Sequence, residues 1–84
     1  MKLKIRVLIV DDEKKFRTTT RNLLERRGFN TILAETGEAA IDKLSKKPDV
    51  AVLDIRMPGM DGHQVLREFR DRVPKLPVIM LTGH

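Results

Sequence analysis

Cysteine, tryptophan and tyrosine are absent from the 84 residues, and three phenylalanines are the only aromatic side chains. The missing cysteine excludes a disulfide framework and any thiolate metal site. So few rings leave no stacking platform for nucleic-acid bases. Long apolar runs are missing too. After the alternating start Met1-Lys2-Leu3-Lys4-Ile5-Arg6, the first run is only Val7 to Val10, too short for a signal-peptide core or a membrane span. We therefore expect a soluble, cytoplasmic protein. Acidic residues are the scarcer charge, 12 against 17 Lys and Arg, for a net charge of +5. A basic balance invites a nucleic-acid reading. However, Lys14, Lys15, Arg17, Arg21, Arg26 and Arg27 crowd onto one predicted helix, mostly around its polar side. That is the pattern of a solvated face, so we expect no direct nucleic-acid contact and no membrane contact.

What is present is a rhythm. Eighty-four residues allow one domain, marginally able to bury a core. Three apolar quartets end in polar residues: VLIV before Asp11-Asp12, VAVL before Asp54, and VIML before Thr82. Each is continuous rather than alternating, as in strands buried on both faces of a parallel sheet. A shorter strand, TILA at 31–34, is expected at or near an edge. Helical patterns lie between. Residues 13–27 place Phe16, Thr20, Leu23 and Leu24 on one face, and Gly28 is suited to end that helix. Thr36 can cap a second helix with an apolar face of Ala40, Ile41 and Leu44, which Pro48 stops. A third starts near Gly62 or His63 and carries Val65, Leu66, Phe69 and Val73. The order is β-α-β-α-β-α-β, which implies right-handed βαβ units with ligands at the carboxyl ends of the strands.

Asp11, Asp12 and Asp54 all sit at such ends. If their strands are neighbours, three carboxylates converge, and their mutual repulsion calls for a cation. With only oxygen ligands on offer, the cation favoured is hard, Mg2+ above others. Mg2+ keeps several waters and works with phosphate oxygens, so the pocket suits phosphoryl transfer better than a closed metal cage. Asp54 precedes "IRMPGMDG", a loop in which Pro58 restrains Met57 while Gly59 and Gly62 let the chain turn back over the pocket. A carboxylate so placed can act as a nucleophile and form an acyl phosphate. Helix capping explains Asp11 or Asp12 taken singly. It does not explain all three acids together with this loop.

Four stretches, "VLIVDDE" (7–13), "GEAAIDKL" (37–44), "DVAVLDIRMPGMDGHQVL" (49–66) and "PVIMLTGH" (77–84), resemble the receiver domain of two-component response regulators, in order and along the whole chain. The resemblance implies an α/β, flavodoxin-like doubly wound parallel sheet of strand order 2-1-3-4. It implies that Asp54 is the phosphoacceptor, supplied by a sensor histidine kinase. Asp12 matches the acid that binds Mg2+ directly, with Asp11 beside it, and the backbone carbonyl of Arg56 matches a further metal ligand. Thr82 matches the switch hydroxyl that meets the phosphoryl group, and Gly83 the small position next to it. Glu13 reads first as an acid favoured by the helix dipole. The family also carries a lysine after a fifth strand, a fourth helix and a fifth helix. By resemblance these lie beyond His84, so residues 1–84 are expected to be an incomplete receiver domain. Lys75, at the opposite end of the sheet, is no substitute.

On strand order 2-1-3-4, one sheet face receives two helices and the other only the helix at 13–27. We therefore expect Leu8, Val10, Val52 or their alternates to lie partly open, and the strand 77–82 to be a bare edge. Each exposed Val, Leu or Ile forfeits roughly 1.5–3 kcal/mol of burial, and a bare edge invites another chain. A homodimer through that face or edge is the expected consequence, with phosphorylation impaired. His63 and His84 read as surface residues, and Met57, Met60 and Met80 as packing. By resemblance, Lys14, Lys15, Thr18 and Asn22 are candidate kinase contacts. Two other functions stand as alternatives. A Mg2+-dependent aspartyl-phosphate hydrolase would want a second acid two residues after Asp54, where Arg56 stands. An engineered or truncated fragment with only structural interest is compatible with receiver ancestry.

Overall fold

The three apolar quartets and the TILA segment become the four strands of one parallel sheet. The computed structural model describes residues 4–54 and 62–81. Strand β1 spans Arg6–Val10, β2 Asn30–Ala34, β3 Val50–Asp54 and β4 Val78–Leu81. Between them lie α1 (Lys14–Arg26), α2 (Gly37–Lys43) with a 3-10 turn at Leu44–Lys46, and α3 (Gly62–Arg72). The sheet order is β2-β1-β3-β4. The chain steps one way from β1 to β2, then back across the sheet to β3 and β4. Right-handed crossovers therefore put α1 on one face and α2 with α3 on the other.

Register decides which side chains share a face. Leu8 pairs with Ala51 and Val10 with Leu53, and these four join Ala40 of α2 and Val65 and Phe69 of α3 in the main core. Leu8, Ala40, Ala51, Leu53, Val65 and Phe69 are fully buried. Of the residues expected to lie partly open, Leu8 and Val10 face the two-helix layer and are buried. Their alternates Val7 and Ile9 are buried as well, on the side where α1 packs over β1 and β2. The opening falls at β3 and β4, where Val52, named among the open residues, is half-buried and Ile79 is 54% exposed.

Helix α1 departs from its expected face in the same way. Phe16, Thr20 and Leu24 are half-buried, but Leu23 is 49% exposed. On a 100° wheel the buried stripe centres between Thr20 and Leu24 and takes in Arg17, because α1 leans toward the β2 side. Leu23 is turned to the flank, where none of the described elements covers it.

The helix ends follow local chemistry. Gly28 has φ +93°, its N–H donates to the Glu25 carbonyl at 3.1 Å, and the Phe29 N–H donates to the Leu24 carbonyl at 3.1 Å. This paired arrangement needs a left-handed residue at Gly28. Thr36 caps α2, its hydroxyl accepting from the Ala39 N–H at 3.0 Å. Lys47, at φ 57°, turns the chain out of the 3-10 segment ahead of Pro48. At the amino edge of the sheet, Asp49 donates its N–H to the Arg6 carbonyl at 2.8 Å, and its Oδ2 accepts the Arg6 N–H at 2.8 Å. These bonds extend the β1–β3 ladder by one step.

Candidate functional site

At the carboxyl ends of β1 and β3 the polar residues meet. Because Val10 lies beside Leu53, the residues that follow emerge together. Asp11 continues the β1 ladder, its N–H donating to the Ala34 carbonyl at 3.1 Å. It is 1% exposed, and Asp54, the last residue of β3, is 2% exposed. Asp12 is open to solvent. One carboxylate oxygen from each of Asp11, Asp12 and Asp54 lies within 4.8 Å of the others. The sequence-based convergence of the three acids is thus what the fold produces.

Helix capping, the simpler reading, holds for part of this set. Asp11 Oδ1 accepts the Glu13 N–H at 2.9 Å, and Glu13 occupies the N-cap position of α1 without a side-chain cap of its own. That role uses one Asp11 oxygen and leaves the clustering of three acids unexplained. If both are ionised, two buried carboxylates within 4.8 Å repel by about 3 kcal/mol at an effective dielectric of roughly 20. A cation is the natural relief. The donor set fits Mg2+: it is all oxygen, half-buried and open on the Asp12 side.

Sequence reasoning missed one neighbour of this cluster. By sequence, Arg17 belongs with the basic residues of the polar side of α1. Its side chain is 12% exposed and 3.7 Å from the Glu35 carboxylate, and its Nη1 donates to the Asp11 carbonyl at 2.7 Å. The signal lay in its position, four residues past the N-cap and six past Asp11, which returns it to the strand ends. Arg56, Thr82 and Gly83 lie outside the described residues, as do Met57, Met60 and His84. Leu81 pairs with Asp54, so β4 ends at the same edge of the sheet as the acids. His63 is exposed, as expected. Lys75 lies in the turn ahead of β4, away from that edge.

Comparison with known proteins decides the family. The family model of the response regulator receiver domain matches residues 7–84. The chain belongs to the response regulator receiver family. The receiver is 39% identical over 80 residues to the response regulator MprA of Mycolicibacterium vanbaalenii, covering 94% of this chain and 35% of the relative. It is 43% identical over 77 residues to the DNA-binding transcriptional regulator NtrC of Klebsiella pneumoniae, covering 90% of this chain and 16% of that protein. The chain thus spans about a third or less of the length of these curated relatives. Among solved structures, the Vibrio cholerae chemotaxis protein CheY4 superposes with a TM-score of 0.91 at 30% identity, over 96% of this chain and 70% of that one. The flavodoxin-like fold and strand order expected from the resemblance are those of the receiver family. Receiver domains are the phosphoacceptors of two-component systems, served by sensor histidine kinases, and the family binds Mg2+ at an acidic pocket. No helix among the described residues is long and apolar enough to cross a membrane.

Proposed function

We propose that this chain is a Mg2+-dependent phosphoacceptor module that takes a phosphoryl group on Asp54 from a sensor histidine kinase in the cytoplasm. The observation that carries the reading is the placement of Asp54, buried at the end of β3 with Asp11 and Asp12 oxygens within 4.8 Å. An Asp54 carboxylate oxygen supplies the electron pair for a new O–P bond. The bond from phosphorus to the donor imidazole nitrogen breaks, and its electron pair leaves with the imidazole. Asp11, Asp12 and Asp54, with the Arg56 carbonyl, would hold the ion. Bound there, Mg2+ screens the charge between carboxylate and phosphoryl oxygens. The acid cluster orients the acceptor, and the buried end of β3 limits its rotation. Thr82 and Gly83 complete the reading, as the hydroxyl that binds a phosphoryl oxygen and the small residue that leaves it room.

On this reading residues 1–84 act as one receiver unit that turns over no small metabolite. The hydrolase alternative is disfavoured because Arg56 stands where a general acid would be needed. We further propose that phosphorylation of the 84-residue chain is slow, since Lys75 is remote from the pocket, and that the chain pairs with a second copy through its open sheet side. The test is incubation with acetyl phosphate and Mg2+, followed by intact mass. An adduct of one phosphoryl group, absent in Asp54→Asn and absent when Mg2+ is chelated, is the expected result. Modification that persists in Asp54→Asn would overturn the assignment, and steady release of phosphate from varied phosphomonoesters would favour the hydrolase.

A further inference from the structure

Arg17 is tied to the pocket without being one of its acids. Its Nη1 donates to the Asp11 carbonyl at 2.7 Å, and its Nη2 is 3.7 Å from Glu35 on the β2–α2 connection. The side chain is 12% exposed, whereas that of Glu35 is 70% exposed. The guanidinium is therefore committed to a backbone oxygen rather than to solvent. The peptide it grips joins Asp11 to Asp12, so rotation of that peptide would swing both carboxylates. The neighbouring N–H groups are already committed: that of Asp11 to Ala34, and that of Glu13 to Asp11 Oδ1. The carbonyl between them is held by Arg17. The Arg17 backbone N–H also donates to the Glu13 carbonyl at 3.0 Å, so the first turn of α1 carries the side chain to this place.

We propose that Arg17 is a positioning residue that clamps the Asp11–Asp12 peptide and presets the acidic cluster for a divalent cation, an inference that rests on the Mg2+ reading above. Charge alone argues the opposite sign. A guanidinium bound to the Asp11 carbonyl repels a cation entering the acidic cluster, so removing it would tighten binding. A clamp, by contrast, loosens when it is lost, as groups that orient metal ligands generally do.

The sign can be measured with Mg2+ alone. The chain has no Trp or Tyr to report by fluorescence, so Mg2+ is titrated into isotope-labelled protein and followed at the Asp12 and Glu13 amides. Temperatures are chosen at which circular dichroism shows each variant folded. Arg17→Met is expected to weaken Mg2+ about ten-fold, and Arg17→Lys, which returns a cationic donor, to recover part of the loss. If Arg17→Met does not fold, Arg17→Leu, which also lacks a donor, is read in its place with the same expected loss. Wild-type protein with no affinity for Mg2+ overturns the metal reading and this inference with it. Wild-type binding with equal or tighter binding in the variant overturns the inference alone.

Discussion

Asp11 shows how one side chain can serve folding and function in opposite directions. It is almost fully buried beside Asp54, so its charge is a liability until a cation arrives. Its Oδ1 meanwhile accepts the Glu13 N–H, a bond that an amide oxygen can also accept. Asp11→Asn keeps that bond and removes the repulsion. The metal-free protein is therefore expected to gain stability on the order of 1 kcal/mol, while Mg2+ affinity falls. Urea melts with and without Mg2+ measure both effects. A variant less stable than wild type without metal would show that the acids are not in net repulsion. The same cluster was legible in the sequence, because an acid closing an apolar run states its own position at a strand end. Arg17 was not, because its partner is a backbone carbonyl, and no side-chain pattern marks a carbonyl as needing a donor.

Helices and strands differed in how well their faces could be read. The continuous quartets gave strand positions to within a residue or so, yet left the choice of face open. A run such as VLIV has no polar alternate to mark the outside, so periodicity could not separate Leu8 and Val10 from their alternates Val7 and Ile9. Strand order did not follow from periodicity at all; it came with the family resemblance. In α1 the apolar spacing placed Leu23 with Leu24, but the lean of the helix toward β2 left Leu23 out. Helix ends were read more reliably, since their chemistry is local. At Gly28 this gives a clean test. An added Cβ would meet nothing within 4 Å, so Gly28→Ala carries no steric clash with neighbours and reports the cost of φ +93° alone. A loss of roughly 1–2 kcal/mol in chemical denaturation is expected, with Gly28→Asn losing less. A neutral Gly28→Ala would mean that the end of α1 rearranges freely.

Over the whole molecule the two sheet faces are unequally served. Helices α2 and α3 contact each other and close one face, while α1 packs over β1 and β2 on the other. Val52 and Ile79 pair in register on that second face. With Val52 half-buried and Ile79 at 54% exposure, apolar surface continues from the sheet interior to its edge. Among the described residues β4 pairs only with β3, so its outer backbone edge offers a template for another strand. A second copy brings an identical edge, and a two-fold axis between two such edges makes each copy cover the other. Sedimentation equilibrium of the 9.7 kDa chain is expected to show a mass that rises with concentration toward two copies. Ile79→Lys should shift it back toward one, because a charge on that face opposes its own image across the axis. A single species of one-chain mass across the range would exclude the pairing and leave the phosphoacceptor assignment intact, since Asp11, Asp12 and Asp54 converge within one copy.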